Sequence, residues 1–385
     1  MLTCDLINAQ DLAVRDEAVW REMIQATPAF ASPLLSPEFT RAVAAARPDT
    51  QIAIFRDGGR TVGFLPHHRR PGAFARPAGA PFADYSALIT FPPSGPDSGL
   101  CGDDALRAAG LKTFQAIGLI DPHGVFGANC KDFNGETEDA YGIDLTFEET
   151  TNNVNKKLSK NINRLRRHAA EAMGEVRVIT DDRDPTHFAR ALQLKQAQVR
   201  DNGLHDFLAA PWVQKFLGDL FTADRRGLHG YLVTLMAGDT PLLFHFGIRL
   251  GDRAHPWVSS FEPAHAAYSP GQIFLQDCQA ALKADGIAYY DLSTGQSHYK
   301  NAFCNTQFQV SHGRLYGAQA HLAPRVARVA HRARQAMGGA GNALARLNRR
   351  IDQIACLELD TMSRLKGVAY AFSHASKRLR AADHG

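Results

Sequence analysis

The chain has 385 residues, about 45% of them apolar and 21% charged, and a formal charge of +4. That length and composition predict a soluble globular protein of two domains with sizeable cores. No apolar run reaches the roughly 18 residues needed to cross a bilayer, and the opening MLTCDLINAQD has neither a basic start nor a long apolar stretch, which predicts a cytoplasmic protein.

Residues 12–27 read as a helix, with Val14, Ala18, Trp20 and Ile24 at its apolar positions. Ser36-Pro37 opens a second helix, because serine caps and proline suits the first turn. Two strands, 51–55 and 61–65, flank Asp57-Gly58-Gly59, a hairpin signal. Residues 70–83, rich in Pro, Gly and Ala, read as a loop, and 86–91 as a strand. Residues 104–117 read as a helix whose end overlaps a strand start at 114–119. Polar residues 129–141 read as loop, 142–145 as a short strand. A basic helix runs from about residue 152 to 173, and Gly174 is its natural stop.

A strand at 176–179 and helices at 185–200 and 211–221 follow. Three strand-like runs, 229–237, 241–250 and 256–261, are separated by Gly238-Asp239 and Gly251-Asp252. Ser269-Pro270-Gly271 opens a helix that ends at Asp285-Gly286. A strand at 287–292, a short helix at 297–304 and a strand at 307–316 complete the order β-β-β-α-β-α-β. The first 150 residues give a looser version of the same order. The expectation is an α/β (α+β) fold: two tandem lobes with mixed twisted sheets, 1–150 and 151–317, and a basic helical extension, 318–385. The extension carries twelve Lys/Arg against four acids, so it holds +8 and the rest of the chain −4. After a break at Gly338-Gly339-Ala340-Gly341, an apolar stripe from Leu344 to Phe372 follows the helical period, with slips. The six cysteines are scattered, with no CxxC pair, which argues against a zinc site or a disulfide framework.

Several blocks, in order, resemble GNAT-type acetyltransferases of the CelD/BcsL cellulose-biosynthesis family, relatives of the FemAB peptidoglycan transferases. They include Ser36-Pro37-Glu38-Phe39, Val62-Gly63-Phe64-Leu65-Pro66, Pro81-Phe82-Ala83-Asp84-Tyr85 and Leu158-Ser159-Lys160-Asn161. Further along come Lys195-Gln196-Ala197-Gln198, Tyr268-Ser269-Pro270-Gly271, Tyr290-Asp291-Leu292 and Tyr299-Lys300. The resemblance covers roughly residues 10–315 and implies two GNAT-like lobes, with the chemistry in the second. It also implies acetyl-CoA as acyl donor and a sugar or polysaccharide precursor as acceptor, in exopolysaccharide biosynthesis. A FemAB-like aminoacyl transferase, and a non-catalytic regulator of polysaccharide assembly, are the alternatives.

The first-turn N–H groups of a helix and its dipole favour an anion. Tyr268, Ser269, Gly271 and Gln272 are therefore candidate donor-binding residues, against a plain capped helix start. Asp291, near a strand end, is a candidate proton acceptor. Tyr299 is a candidate donor to the leaving thiolate, and Lys300 a group for a phosphate or oxyanion. An Asp–Lys pair pinning helix to strand is the structural alternative. His245 and Glu262 are further candidate bases, against ordinary strand hydrogen bonding. Lys156, Lys160 and Arg164 share one helix face, which points Lys160 and Arg164 at coenzyme A phosphates or, more simply, at solvent. The tail offers a surface for cyclic di-GMP, nucleic acid or the acidic inner-membrane surface. The simpler alternative is a helical hairpin packed on the body, or a homodimer contact.

Overall fold

The computed structural model describes residues 1–93, 100–127, 135–147, 154–295, 298–320, 329 and 338–369. Its strands are β1 (Leu2–Asn8), β2 (Thr50–Asp57), β3 (Arg60–Arg70), β4 (Phe74–Pro77), β5 (Thr113–Leu119) and β6 (Glu136–Asp144). They continue with β7 (Val176–Ile179), β8 (His229–Ala237), β9 (Thr240–Leu250), β10 (Arg253–Phe261), β11 (Tyr289–Thr294) and β12 (Thr306–Tyr316). The helices are α1 (Val14–Ala26), α2 (Pro37–Ala46), α3 (Gly102–Ala108), α4 (Lys156–Met173), α5 (Pro185–Asp201), α6 (Pro211–Thr222), α7 (Pro270–Ala284), α8 (His298–Phe303) and α9 (Gly338–Leu357).

Local signals set many of these boundaries. Ser36 Oγ accepts from Phe39 N–H and starts α2, Asn155 caps α4 through Leu158 N–H, and Asp184 caps α5 through Thr186 N–H. Gly174, at φ 106°, ends α4 in a conformation that side chains avoid. The β2–β3 turn needs Gly58 and Gly59, both at positive φ.

All twelve strands join one mixed sheet, in the order β1-β2-β3-β4-β5-β12-β6-β11-β10-β9-β8-β7. The anticipated fold is thus a mixed α/β one, but its two halves share a sheet. β12 pairs with β5 on one side and β6 on the other. β6 pairs also with β11, so a strand placed before the expected boundary at residue 150 is held by strands placed after it. One core gathers Trp20, Phe39, Phe82, Trp212, Phe216 and Phe246 from both halves. A second, around Ile162, Leu165, Ile273, Phe274 and Tyr290, lies under α4 and α7. A third, with Phe55, Leu106, Phe114 and Leu315, lies under α3.

Some local expectations change. β1 was not anticipated, and the loop expected at 70–83 contains β4. The helix expected at 104–117 is α3 followed by β5. The strand expected at 86–91 forms only the bridges Ser86–Leu119 and Phe64–Ile89. Most of the loop expected at 129–141 either lies outside the described residues or belongs to β6.

The basic extension is not a free appendage where it is described. α9 is docked on the body: Arg76 pairs with Asp352 at 2.6 Å, Arg47 Nη1 donates to Cys356 O at 3.0 Å, and Trp212 Nε1 donates to Leu357 O at 2.8 Å. The glycine run at 338–341 forms the first turn of this helix, and the residues before it lie outside the described ones. Arg325, Arg328, Arg332 and Arg334 lie outside the described residues. Among the described residues no helix is long and apolar enough to cross a membrane.

Candidate active site

β10 and β11 run parallel and pair only at Arg253–Tyr289 and Ala254–Tyr290. Beyond these pairs they part. β10 is bulged between Pro256 and Val258, and β11 between Asp291 and Thr294, with Ser293 and Gly295 both at positive φ. Proline inside a strand removes a ladder hydrogen bond, which accounts for the first irregularity. The gap opens into a cavity of about 780 Å³, at the carboxyl ends of the strands, where open sheets bind ligands. One wall comes from Leu243, His245 and the first turn of α7. The other comes from Phe82 and Asp84, from the His205–Phe207 stretch, and from α9.

Asp84 was not singled out from the sequence as a site residue, yet it is the carboxylate in this wall. Its segment is fixed by buried Ala83 and Tyr85 and by Ser86, which exchanges backbone hydrogen bonds with Gly118 and Ile120. Gly118 adopts φ 48°, and a Cβ there would sit 1.9 Å from Asp84 O, so only glycine allows this approach. Behind Asp84 lies His255, with no exposure to solvent. Its Nε2–H donates to Asp84 Oδ2 at 2.9 Å. Its Nδ1 lies 3.4 Å from Asp291 Oδ2, an ionic contact without hydrogen-bond alignment. Burial alone pulls this imidazole's pKa down. Asp291 and Asp84 outweigh it and push the value up to about 9, so His255 is an imidazolium at neutral pH. Asp84 Oδ1 has no hydrogen-bond partner among the described residues.

Asp291 itself is buried and turned away from the cavity. Its Oδ1 accepts from Tyr85 O–H at 2.8 Å and Ser293 N–H at 2.7 Å. It lines a second, smaller cavity of about 400 Å³ with Tyr85, Tyr289, Arg253 and Phe308. His245 does line the main cavity, its Nδ1 2.7 Å from Tyr290 O–H. Burial, helped by Lys195 and Lys300, pushes its pKa down to about 3. Burial thus holds it neutral near pH 7. Lys300 lines the cavity too, but its ammonium donates to Leu292 O at 2.8 Å, Ser293 O at 3.4 Å and Thr294 O at 2.5 Å. It clamps the bulged end of β11, which leaves no N–H for an oxyanion or phosphate, and burial pulls its pKa down. Glu262 makes a two-pronged pair with Arg190 at 2.6 and 2.7 Å and does not line the cavity. The Tyr299 side chain lies outside the described residues.

Ser269, Gly271 and Gln272 reach the cavity together. Ser269 takes a left-handed conformation and makes no side-chain cap. Its carbonyl accepts from Gln272 N–H at 3.0 Å and Ile273 N–H at 3.4 Å. Pro270 has no N–H, so Gly271 supplies the free backbone donor of this turn, a leaner anion site than a glycine-rich loop. The space beside Gly271 is open, since a Cβ would meet only Leu243 Cδ1 at 4.0 Å. Two buried polar atoms of the wall, Gln272 Oε1 and Trp257 Nε1, have no partner among the described residues. They are available to an amide-bearing ligand arm. Tyr268 packs on the second core instead. Lys160 and Arg164 are exposed on α4, which packs against α7, and neither lines the cavity. Among the described residues no group of His, Cys, Asp and Glu is placed to hold a metal ion.

The cavity thus sits at a parting of parallel strands and is closed by the start of α7. Residues 156–301 match the family described as acetyltransferase (GNAT) domain, so the chain carries an acyltransferase domain of that type. No curated protein sequence matches the chain. Among solved structures it is similar to a C-terminal DUF2156 domain from Agrobacterium fabrum, at 13% identity over 81% of this chain and 96% of that one, TM-score 0.48. FemX is similar at 8% identity over 83% and 98%, TM-score 0.47. A tandem GNAT protein from the clavulanic acid biosynthesis pathway is similar at 12% identity over 82% and 98%, TM-score 0.44.

Proposed function

We propose that the cavity transfers an acyl group from an acyl-coenzyme A, acetyl-CoA in the simplest case, to an amine or hydroxyl of a second molecule. The donor's arm would lie along the Ser269–Gln272 wall, where Gly271 N–H, Gln272 Oε1 and Trp257 Nε1 are free to bond it. Bound there, the donor supplies a thioester carbonyl open to attack. Asp84 Oδ1 takes the proton of the attacking amine or hydroxyl as the new C–N or C–O bond forms and the C–S bond breaks. The proton on Asp84 then passes to the leaving thiolate or to water. His255 holds the other oxygen of Asp84 and, as a buried imidazolium, balances its charge. His245 and Trp257 shape the cavity around the reacting carbonyl. A sugar or polysaccharide-precursor acceptor follows from the sequence resemblance.

The observation that carries this reading is the carboxylate at the cavity wall gripped at 2.9 Å by a fully buried imidazolium. The test is calorimetric titration of acetyl-CoA, followed by thiol release with a panel of amino and hydroxyl sugars. Saturable acetyl-CoA binding, and thiol release lost in Asp84→Asn, are expected. No association of any coenzyme A thioester at millimolar concentration would refute the proposal.

A further inference from the structure

The two walls of the cavity belong to different cores. Phe274 and Leu275 of α7 pack in the core under α4 and α7. Leu357, at the end of α9, packs in the core shared by both halves. The α9 wall is apolar, with Phe82, Phe207, Ile354 and Leu357, and it contains Arg350. Among the described residues, the Lys and Arg side chains lining the cavity are Lys300 and Arg350. Lys300 is spent on three backbone carbonyls. Nearby arginines are committed as well: Arg47 to Asp49, Arg70 to Asp49, Arg76 to Asp352, and Arg364 to Glu358 O. Arg350, half-buried, has no acid or carbonyl partner among the described residues. A guanidinium held in a cavity wall without a counter-charge is a site for a planar anion.

We infer that α9 completes the acceptor end of the cavity and that Arg350 holds an anionic group of the acceptor, a phosphate or a carboxylate on a molecule with an apolar portion. The acceptor role rests on the proposed acyl transfer, while the anion site stands on its own geometry. The basic extension thereby supplies a binding residue to the site that the rest of the chain builds. The nucleophile lies toward Asp84, the anion toward Arg350, and the apolar portion between them against Phe82 and Ile354.

The donor also carries phosphates, so the test separates the two sources. Full-length protein is titrated with phenyl phosphate, with benzyl alcohol as the neutral probe, and separately with acetyl-CoA. The expected result is phenyl phosphate bound about tenfold or more tighter than benzyl alcohol, the scale of one charge-assisted contact. In Arg350→Gln that preference disappears and acetyl-CoA affinity stays within about twofold. Arg350→Lys, which keeps the charge and loses the fork, recovers part of it. Far-UV circular dichroism and melting confirm that each variant folds. The inference is overturned if Arg350→Gln keeps the preference, or if it weakens acetyl-CoA and leaves phenyl phosphate unchanged. Failure of acetyl-CoA to bind wild-type protein would sink the transfer reading alone, because the phenyl phosphate arm still reports on Arg350.

Discussion

Asp84 is held by a histidine that sequence reasoning passed over. Its Pro81–Tyr85 block was visible as part of a resemblance, but nothing local marks Asp84 as facing a cavity, because its neighbour His255 is 171 residues away. His255 is equally silent in sequence: one histidine before a mid-strand proline. Asp291, which the strand-end position did flag, supports His255 from behind. Asp84→Asn keeps the size and removes the proposed proton acceptor. It should lower kcat by about 10²–10³-fold with little change in the donor's KM, the scale of general-base loss, as steady-state thiol release would show. His255→Gln acts through Asp84 as a positioning change, and its signature is pH. Although burial opposes it, Asp291 and Asp84 raise the pKa of His255 from 6.5 to about 9 in the folded chain. The stabilisation from the imidazolium is therefore full below about pH 6.5 and is lost as pH rises through about 9. Wild type should exceed His255→Gln in Tm near pH 6, with the gap closing toward about pH 9.5. Thermal melts across that range check it, and a gap that widens with pH contradicts the assignment.

Turn and stop residues made the second half of the chain legible: Gly174 ends α4, and Gly238 and Gly251 mark the turns flanking β9, whereas the Asn155 cap, three residues past the expected start, was not read. The order β-β-β-α-β-α-β was readable because turn residues, Gly238-Asp239, Gly251-Asp252 and Asp285-Gly286, separate the strand-like and helical runs. β4 was not readable, because Phe74–Pro77 holds a proline and lies in a stretch rich in Gly and Ala, and its pairing with β3 is tertiary. Side-chain duties were less legible still. Lys300 looked like an electrophile or an ion-pair partner of Asp291, yet its three N–H bonds pin β11 where Ser293 and Gly295 leave regular geometry. Lys300→Met keeps the apolar stem and leaves those carbonyls without a donor. It should destabilise the fold by about 2–4 kcal/mol, measured by urea unfolding. Thiol release from the fraction that stays folded should persist. Full stability with abolished turnover would instead make Lys300 a chemical group.

The sequence pattern repeated itself loosely over two lobes, and that encouraged a division at residue 150. The sheet does not respect it, since pairing across β5, β12, β6 and β11 passes from the first half to the second and back. Removing the second half strips β5 and β6 of β12 and β11, and removing the first half strips β12 and β11 of β5 and β6; exposed strand edges of that length invite association. The aromatic contacts say the same: Phe82 of the first half packs on Trp212, Phe216 and Trp257 of the second, with ring centroids 5.3 to 6.1 Å apart. The cavity has the same dependence, drawing Asp84 from one half, His245 and Trp257 from the other, and Arg350 from α9. The full chain should therefore unfold in one cooperative calorimetric transition, whose calorimetric and van't Hoff enthalpies agree. Residues 1–150 or 151–317 expressed alone should give aggregates, or chains without a cooperative transition, and should not bind acetyl-CoA. Two resolved transitions in the full chain, or a separately folded first half with its own sharp melt, would show that the lobes are autonomous and that the shared sheet contributes little to either.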